Sequence, residues 1–342
     1  MTKHARKKFI KKERSEQSAK QLTKAILNGN RKALFKAITL IESNAQHHQE
    51  RAQEMLQPLL AYAGRSIRIG ITGVPGAGKS TFIEAFGKLL CDQGYRVAVL
   101  AVDPSSTVNG GSILGDKTRM EELAKHENAF IRPSPSSGTL GGVHKKTRET
   151  IIACEAAGFD LIIIETVGIG QSESVVRGMV DFFLMLVLTG AGDELQGMKK
   201  GVLELVDAIA VNKADGDNLK LAIKTRREYA QILHLLRPAT IGWETKAVTC
   251  SSLTGDGIES IWSMIQNFTE LGKTSSVFYD RRNAQVSEWL HAMIKDRLEL
   301  SFYQHEKVGE IRNSIEADVI QGKLTVTKAT DQLFRAYQDN KK

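Results

Sequence analysis

Apolar residues along this chain change their spacing twice. From about residue 15 to residue 62 they recur every three or four positions: Leu22, Ile26 and Leu27, then Leu34, Ile38 and Ile41, then Met55, Leu59 and Leu60. That period lines one face of a helix, and Asn28-Gly29-Asn30 is a turn between the first two helices. From Ser66 the pattern becomes short apolar runs: Ser66–Thr72, Tyr95–Val102, Phe159–Ile164, Asp181–Leu188, Asp207–Val211 and Lys246–Thr249. Nearly continuous apolar runs, each followed by a polar loop, predict an α/β fold with a mostly parallel sheet covered by helices on both faces. Past about Leu271 the β runs stop. Residues 277–342 read as long helices with one break near Gly322-Lys323, marked by Trp289, Met293, Leu298, Ile311, Ile315, Ala329, Leu333 and Phe334. The expected division is a tail (1–14), a helical region (15–64), an α/β domain (65–272) and a helical extension (273–342). Such an extension has little core of its own, so it is expected to pack on the α/β domain or on a second subunit.

The first strand runs into Gly73-Val74-Pro75-Gly76-Ala77-Gly78-Lys79-Ser80-Thr81, and a helix is predicted over Phe82 to Leu90. Strand, then G-x-x-x-x-G-K-[ST], then helix is the setting of a phosphate-binding P-loop. Glycines let successive backbone N–H groups turn inward around a phosphate, and the helix behind adds its positive end. Gly73 and residues Gly76 to Thr81 are therefore candidate nucleotide contacts. Lys79 can reach the β- and γ-phosphates, and the Ser80 hydroxyl can ligate Mg²⁺.

The strand ending at Val211 leads into Asn212-Lys213-Ala214-Asp215. An Asp carboxylate there accepts from the N1–H and exocyclic amine of guanine, a donor pattern adenine does not offer. Asn212 can bond the purine N7, and the Lys213 stem can cover the base. Ser251 and Ser252, in Thr249-Cys250-Ser251-Ser252-Leu253-Thr254-Gly255, sit where a GTPase places the loop whose backbone meets guanine O6. The expected ligand is GTP or GDP rather than ATP.

Between these motifs lie candidates for γ-phosphate chemistry. Asp103 ends a strand, Asp116 sits in a Gly-rich run, and Glu165 ends another strand and precedes Thr166-Val167-Gly168. Three carboxylates at one strand edge beside Ser80 suit Mg²⁺, directly or through its waters. Lys79, Asp103, Glu165 and Gly168 are the expected catalytic set. Glu165-x-x-Gly168 departs from the D-x-x-G of Ras-like GTPases, and Ile169 stands where those enzymes carry a water-orienting Gln. An apolar side chain cannot orient water, so slow intrinsic hydrolysis accelerated by a partner is expected, with Gln171 a substitute.

The net charge of +8 changes the picture less than it first suggests. Lys3, Arg6, Lys7, Lys8, Lys11, Lys12 and Arg14 against Glu13 put six of those charges on a tail, so no nucleic-acid groove is expected. No apolar run approaches the length of a membrane span, and no signal peptide is expected. Cys91, Cys154 and Cys250 are scattered and form no C-x-x-C, which fits a reducing compartment and argues against a thiolate metal site. The expected location is the bacterial cytoplasm rather than the mitochondrial matrix.

Asp103-Pro104-Ser105-Ser106, residues Gly110–Met120, Arg132–Gly138, Glu165–Glu173 and Gly192-Asp193-Glu194-Leu195-Gln196-Gly197 together resemble the MeaB/ArgK family over residues 20–335. These are P-loop GTPases of the signal-recognition-particle/MinD-like class, among them the human methylmalonic aciduria type A protein. The resemblance implies a homodimeric GTPase with a C-terminal dimerisation arm. It implies a client, an adenosylcobalamin-dependent acyl-CoA mutase (chiefly methylmalonyl-CoA mutase), whose cofactor loading it gates and which it protects. It also implies Mg²⁺-site roles for Ser80, Asp103, Asp116 and Glu165, and a third switch coupled to the mutase, with Asp193, Glu194 and Lys199 as candidates. An ATP-dependent kinase of an arginine/ornithine transport system is the alternative, and the guanine-reading Asn212/Asp215 pair argues against it. Nickel-insertion GTPases need a Cys- or His-rich tract that this chain lacks.

Overall fold

The computed structural model describes residues 18–102, 120–132, 140–166, 172–189 and 200–339. Three helices come first: α1 (Ala19–Leu27), α2 (Arg31–Glu42) and α3 (Gln46–Leu59). The Ser18 hydroxyl accepts from Gln21 N–H at 3.2 Å while the Gln21 side chain accepts from Ser18 N–H at 2.9 Å, a capping box that starts α1. Seven strands then alternate with helices: β1 (Ile67–Gly73), α4 (Lys79–Asp92), β2 (Val97–Val102), α5 (Glu121–Lys125), β3 (Ala129–Arg132), α6 (Leu140–Ala156), β4 (Leu161–Thr166), α7 (Ser172–Arg177), β5 (Phe182–Val187), α8 (Lys200–Leu203), β6 (Ala208–Val211), α9 (Leu219–Leu233), β7 (Lys246–Thr249) and α10 (Ile258–Thr274).

The strands form one sheet in the order β3-β2-β4-β1-β5-β6-β7, with every pairing parallel. Alternate residues face opposite layers. Ile69, Ile71, Ile163 and Leu184 pack with Phe82 and Phe86 of α4, Leu123 of α5 and Phe268 of α10. Ile162, Phe183, Met185 and Ile209 face the other layer, with Leu22, Ile38 and Met55 of α1–α3, Ala153 of α6 and Tyr229 of α9. The N-terminal helices thus share a core with the sheet. Leu60 is the exception to their stripe: it lies past the end of α3 and is exposed.

The apolar pattern predicts six strands and the sheet has seven. The addition, β3, is only Ala129-Phe130-Ile131-Arg132, with two of its four residues buried, too short to show a period. Asp207, at the start of β6, is a buried polar hub. Its carboxylate accepts from Phe183 N–H at 2.9 Å, from Arg177 Nη1, from Arg177 Nη2 at 3.1 Å and from the Thr240 hydroxyl. Removing one partner of a buried pair such as Arg177–Asp207 leaves an uncompensated charge.

Residues 276–342 form a second unit, distinct from residues 1–275. It consists of α11 (Val277–Tyr303), α12 (Glu306–Ile320) and α13 (Val326–Gln338). The break near Gly322 is where the sequence places it. A further break at Gln304-His305 is not signalled by Gly or Pro; there Phe302 packs on Phe334 and Tyr337, with ring centroids 4.8 and 5.4 Å apart. No helix among the described residues is long and apolar enough to cross a membrane.

One buried carboxylate makes stability depend on pH. Glu149 of α6 accepts from Gln53 Nε2 of α3 at 2.7 Å, and burial holds its pKa above the usual carboxylate value. Its contribution is therefore complete below the unfolded carboxyl pKa and is lost as pH rises through the native one. Glu149→Gln keeps an acceptor for Gln53 and removes the buried charge. Its melting temperature should exceed the parent's at pH 8, and the gap should close below about pH 4. A lower melting temperature at pH 8 would overturn this assignment.

Candidate nucleotide site

Because all strands run the same way, their carboxyl ends and the polar loops that follow meet along one edge, where ligands of such sheets bind. At the centre, β1 ends in Gly73. This residue has φ +148°, and an added Cβ would lie 2.2 Å from the Leu186 carbonyl oxygen of β5, so only glycine fits. The Ala77 N–H donates to the Val74 carbonyl at 3.1 Å and closes the loop over Gly76, whose φ is +82°. Helix α4 begins at Lys79 behind Gly78, and no side chain caps it, so its amino end faces the loop. Lys79 Nζ reaches back across the loop to the Gly73 carbonyl at 2.9 Å and the Val74 carbonyl at 3.3 Å. Thr81, by contrast, is exposed.

The pairing of β1 with β4 sets Ile71 opposite Glu165. The Ser80 hydroxyl donates to Glu165 Oε1 at 3.2 Å, and the Thr166 hydroxyl donates to Thr72 Oγ1 at 2.9 Å. A hydroxyl and a buried carboxylate within hydrogen-bond distance are the hard oxygen donors that Mg²⁺ takes, so Ser80 and Glu165 fit that ion. Bound there, Mg²⁺ would neutralise charge on the β- and γ-phosphates. Asp103, Asp116, Gly168, Ile169, Gln171, Asp193, Glu194 and Lys199 lie outside the described residues.

The base side is built at the ends of β6 and β7. Asn212 is 1% exposed. Its Nδ2 donates to the Ala77 carbonyl of the phosphate loop at 2.8 Å, and its Oδ1 accepts from the Ser252 N–H at 3.1 Å and the Ser252 hydroxyl at 2.8 Å. Burial pushes the Cys250 thiol up to about 12, so it stays protonated and donates to the same oxygen at 3.6 Å. This bracing leaves one amide N–H of Asn212 for a purine nitrogen. The Ser251 hydroxyl donates to Asp215 Oδ2 at 2.5 Å, which fixes the carboxylate that would read the base. Lys213 is exposed with φ +58°. Sequence reasoning missed the parts played by Thr72, Thr166 and Cys250; only the pairing of β1 with β4 in the fold brings the first two together.

Residues 34–307 match the family model described as Methylmalonyl Co-A mutase-associated GTPase MeaB. The chain belongs to the MeaB family. Within the range of MeaB relatives, it is 47% identical to GTPase ArgK of Escherichia coli (strain K12), over 83% of this chain and 86% of that one. It is 42% identical to the mitochondrial methylmalonic aciduria type A homolog of Mus musculus, over 93% of this chain and 79% of that one. A crystal structure described as an LAO/AO transport system kinase superposes with a TM-score of 0.76 at 36% identity, covering 94% of this chain and 97% of the other. This MeaB-family fold is accordingly that of the P-loop nucleoside triphosphatases.

The brace generates a test. Asn212→Ala strands the Ser252 donors and the Ala77 carbonyl inside the protein, at about 1–3 kcal/mol for a buried unsatisfied group. Denaturant unfolding should show a loss of that size. An unchanged midpoint would mean that water satisfies these groups.

Proposed function

We propose that this chain is a Mg²⁺-dependent GTPase that binds an adenosylcobalamin-dependent acyl-CoA mutase, methylmalonyl-CoA mutase in the first instance, and gates loading and protection of its cofactor. The observation that carries the nucleotide half is the Asn212 brace to the phosphate loop together with the Ser251–Asp215 hydrogen bond, which holds an acceptor carboxylate three residues further along the same loop. A carboxylate facing a purine favours guanine, because adenine would leave it without donors. In this reading Gly73, Gly76, Ala77, Gly78, Lys79, Ser80 and Thr81 surround the phosphates. Asn212, Lys213, Asp215, Ser251 and Ser252 surround the base. Ser80 and Glu165, with Asp103 and Asp116, hold Mg²⁺, and Gly168 contacts the γ-phosphate. The client half rests on membership of a family described as mutase-associated. A homodimer through the C-terminal unit is supported by α11, where Val286, Leu290, Ile294 and Leu298 form an exposed apolar line at four-residue spacing. The site of action in this reading is the bacterial cytoplasm.

The first measurement is GTP hydrolysis with and without a purified adenosylcobalamin-dependent mutase, with ATP as control. Slow GTP turnover should rise about tenfold or more with the mutase, some 1.4 kcal/mol of barrier. GTP turnover indifferent to the mutase removes the client. Preferential use of ATP returns the transport-system kinase reading, which the likeness to the structure so described would then favour.

Coupling to the client is assigned to a third switch carrying Asp193, Glu194 and Lys199. Lys199→Ala should keep GTP affinity within a few-fold of the parent and lose the mutase-dependent acceleration. Equal acceleration in both proteins would sink the switch.

A further inference from the structure

The loop after β7 commits its backbone donors one by one. The Ser251 N–H donates to the Asp256 carbonyl at 2.9 Å, and the Gly255 N–H donates to the Ser251 carbonyl at 2.9 Å. The Leu253 and Thr254 N–H groups reach Ser251 Oγ at 3.3 and 3.1 Å, and the Asp256 N–H reaches Thr254 Oγ1 at 3.4 Å. Ser251 Oγ thereby fills both lone pairs of a hydroxyl, while its own proton goes to Asp215 Oδ2. These donors and acceptors balance.

Asn212 Oδ1 does not balance. Three donors converge on it: the Ser252 hydroxyl at 2.8 Å, the Ser252 N–H at 3.1 Å and the Cys250 thiol at 3.6 Å. An amide oxygen has two lone pairs, so one donor is surplus. The three differ in what else they can reach. Cys250 is buried, and its thiol is a weak donor held inside the protein. Ser252 is only half-buried, and its N–H lies one residue beyond Ser251, whose hydroxyl holds the carboxylate proposed to read the base. If this N–H turns to a ligand, the hydroxyl and the thiol still fill both lone pairs of Asn212 Oδ1.

We infer that the Ser252 hydroxyl is a positioning group for guanine recognition: it keeps Asn212 braced so that the Ser252 N–H can pass to the 6-oxygen of the base. This rests on the guanine-nucleotide reading above. The exchange also separates the two purines, because the 6-oxygen of guanine accepts, whereas the 6-amine of adenine donates and would meet another donor. The hydroxyl carries this role only in the bound state. Without ligand, Ser252→Ala leaves the N–H and the thiol on Asn212 Oδ1. With guanine bound, the same substitution leaves that buried oxygen the thiol alone.

The test uses the full chain carrying Ser252→Ala or Ser252→Thr. Each is titrated by calorimetry in Mg²⁺ with GDP and with 2-aminopurine riboside diphosphate, which lacks the 6-oxygen. Ser252→Ala should weaken GDP binding about tenfold, within the range that an unpaired buried acceptor costs. The same variant should bind the 2-aminopurine nucleotide within about twofold of the parent, because no acceptor draws the N–H away. Ser252→Thr keeps a hydroxyl and should bind GDP as the parent does. Melting temperatures of both ligand-free variants should equal the parent's. An equal loss for both ligands makes the hydroxyl a general support of the loop and overturns the inference. So does parent-like GDP affinity in Ser252→Ala, GDP binding by Ser252→Thr as weak as that of Ser252→Ala, or a lowered ligand-free melting temperature. Each of these leaves the guanine reading standing. A parent that binds ADP as well as GDP overturns the guanine reading and this inference together.

Discussion

A single buried amide, the side chain of Asn212, sets the distance between the two halves of the nucleotide site. One of its N–H groups reaches the Ala77 carbonyl in the phosphate loop, and its oxygen gathers both donors of Ser252. Removed from water, these groups must satisfy one another, and a shift of either loop would strand several at once. The contact also dictates sequence in the loop it touches. A Cβ on Gly78 would come within 2.7 Å of Asn212 Nδ2, so the close approach needs glycine as much as φ +84° does. The spacing between the phosphate loop and the base loop is thus held by the protein's own hydrogen bonds, which lowers the ordering cost of binding.

The parallel register does the rest of the positioning. Ser80 and Glu165 are far apart in sequence, yet β1 and β4 are neighbours, and the two side chains meet at 3.2 Å. Such convergence was legible in the sequence because each motif follows an apolar run and all runs in such a sheet end on one edge. Single residues with local signatures were legible for the same reason: the glycines, Lys79, and the Asn212–Asp215 run. The bracing role of Asn212 was not, since its motif speaks only of the base and its partners lie in two other loops. Nor was β3, whose four residues cannot establish a period, nor the break at Gln304, where aromatic packing from α13 takes the place of a Gly or Pro signal. The Asp207 hub escaped for a similar reason: Asp207 reads only as the opening of the run Asp207–Val211 until Arg177, Phe183 and Thr240 are brought to it by the fold.

The two hubs are not independent, because they stand at opposite ends of one short strand. Asp207 immediately precedes β6 and Asn212 immediately follows it, with Ala208-Ile209-Ala210-Val211 between them, all buried. Four residues of strand span about 13 Å. At the amino end, Asp207 binds the end of α7 and the α9–β7 connection; at the carboxyl end, Asn212 binds the phosphate loop and the base loop. Sliding β6 along its axis would break both sets of bonds as well as its ladders with β5 and β7. A strand clamped in this way transmits position rather than absorbing it. The proposed base contacts, the close of α7 and the α9–β7 connection are therefore fixed to one another through β6, while Ser80 and Glu165, the proposed metal ligands, sit after β1 and in β4, two and three strands away across the sheet. In the proposed reading, base recognition is built on the clamped strand, and the groups that respond to hydrolysis stand on strands further across the sheet.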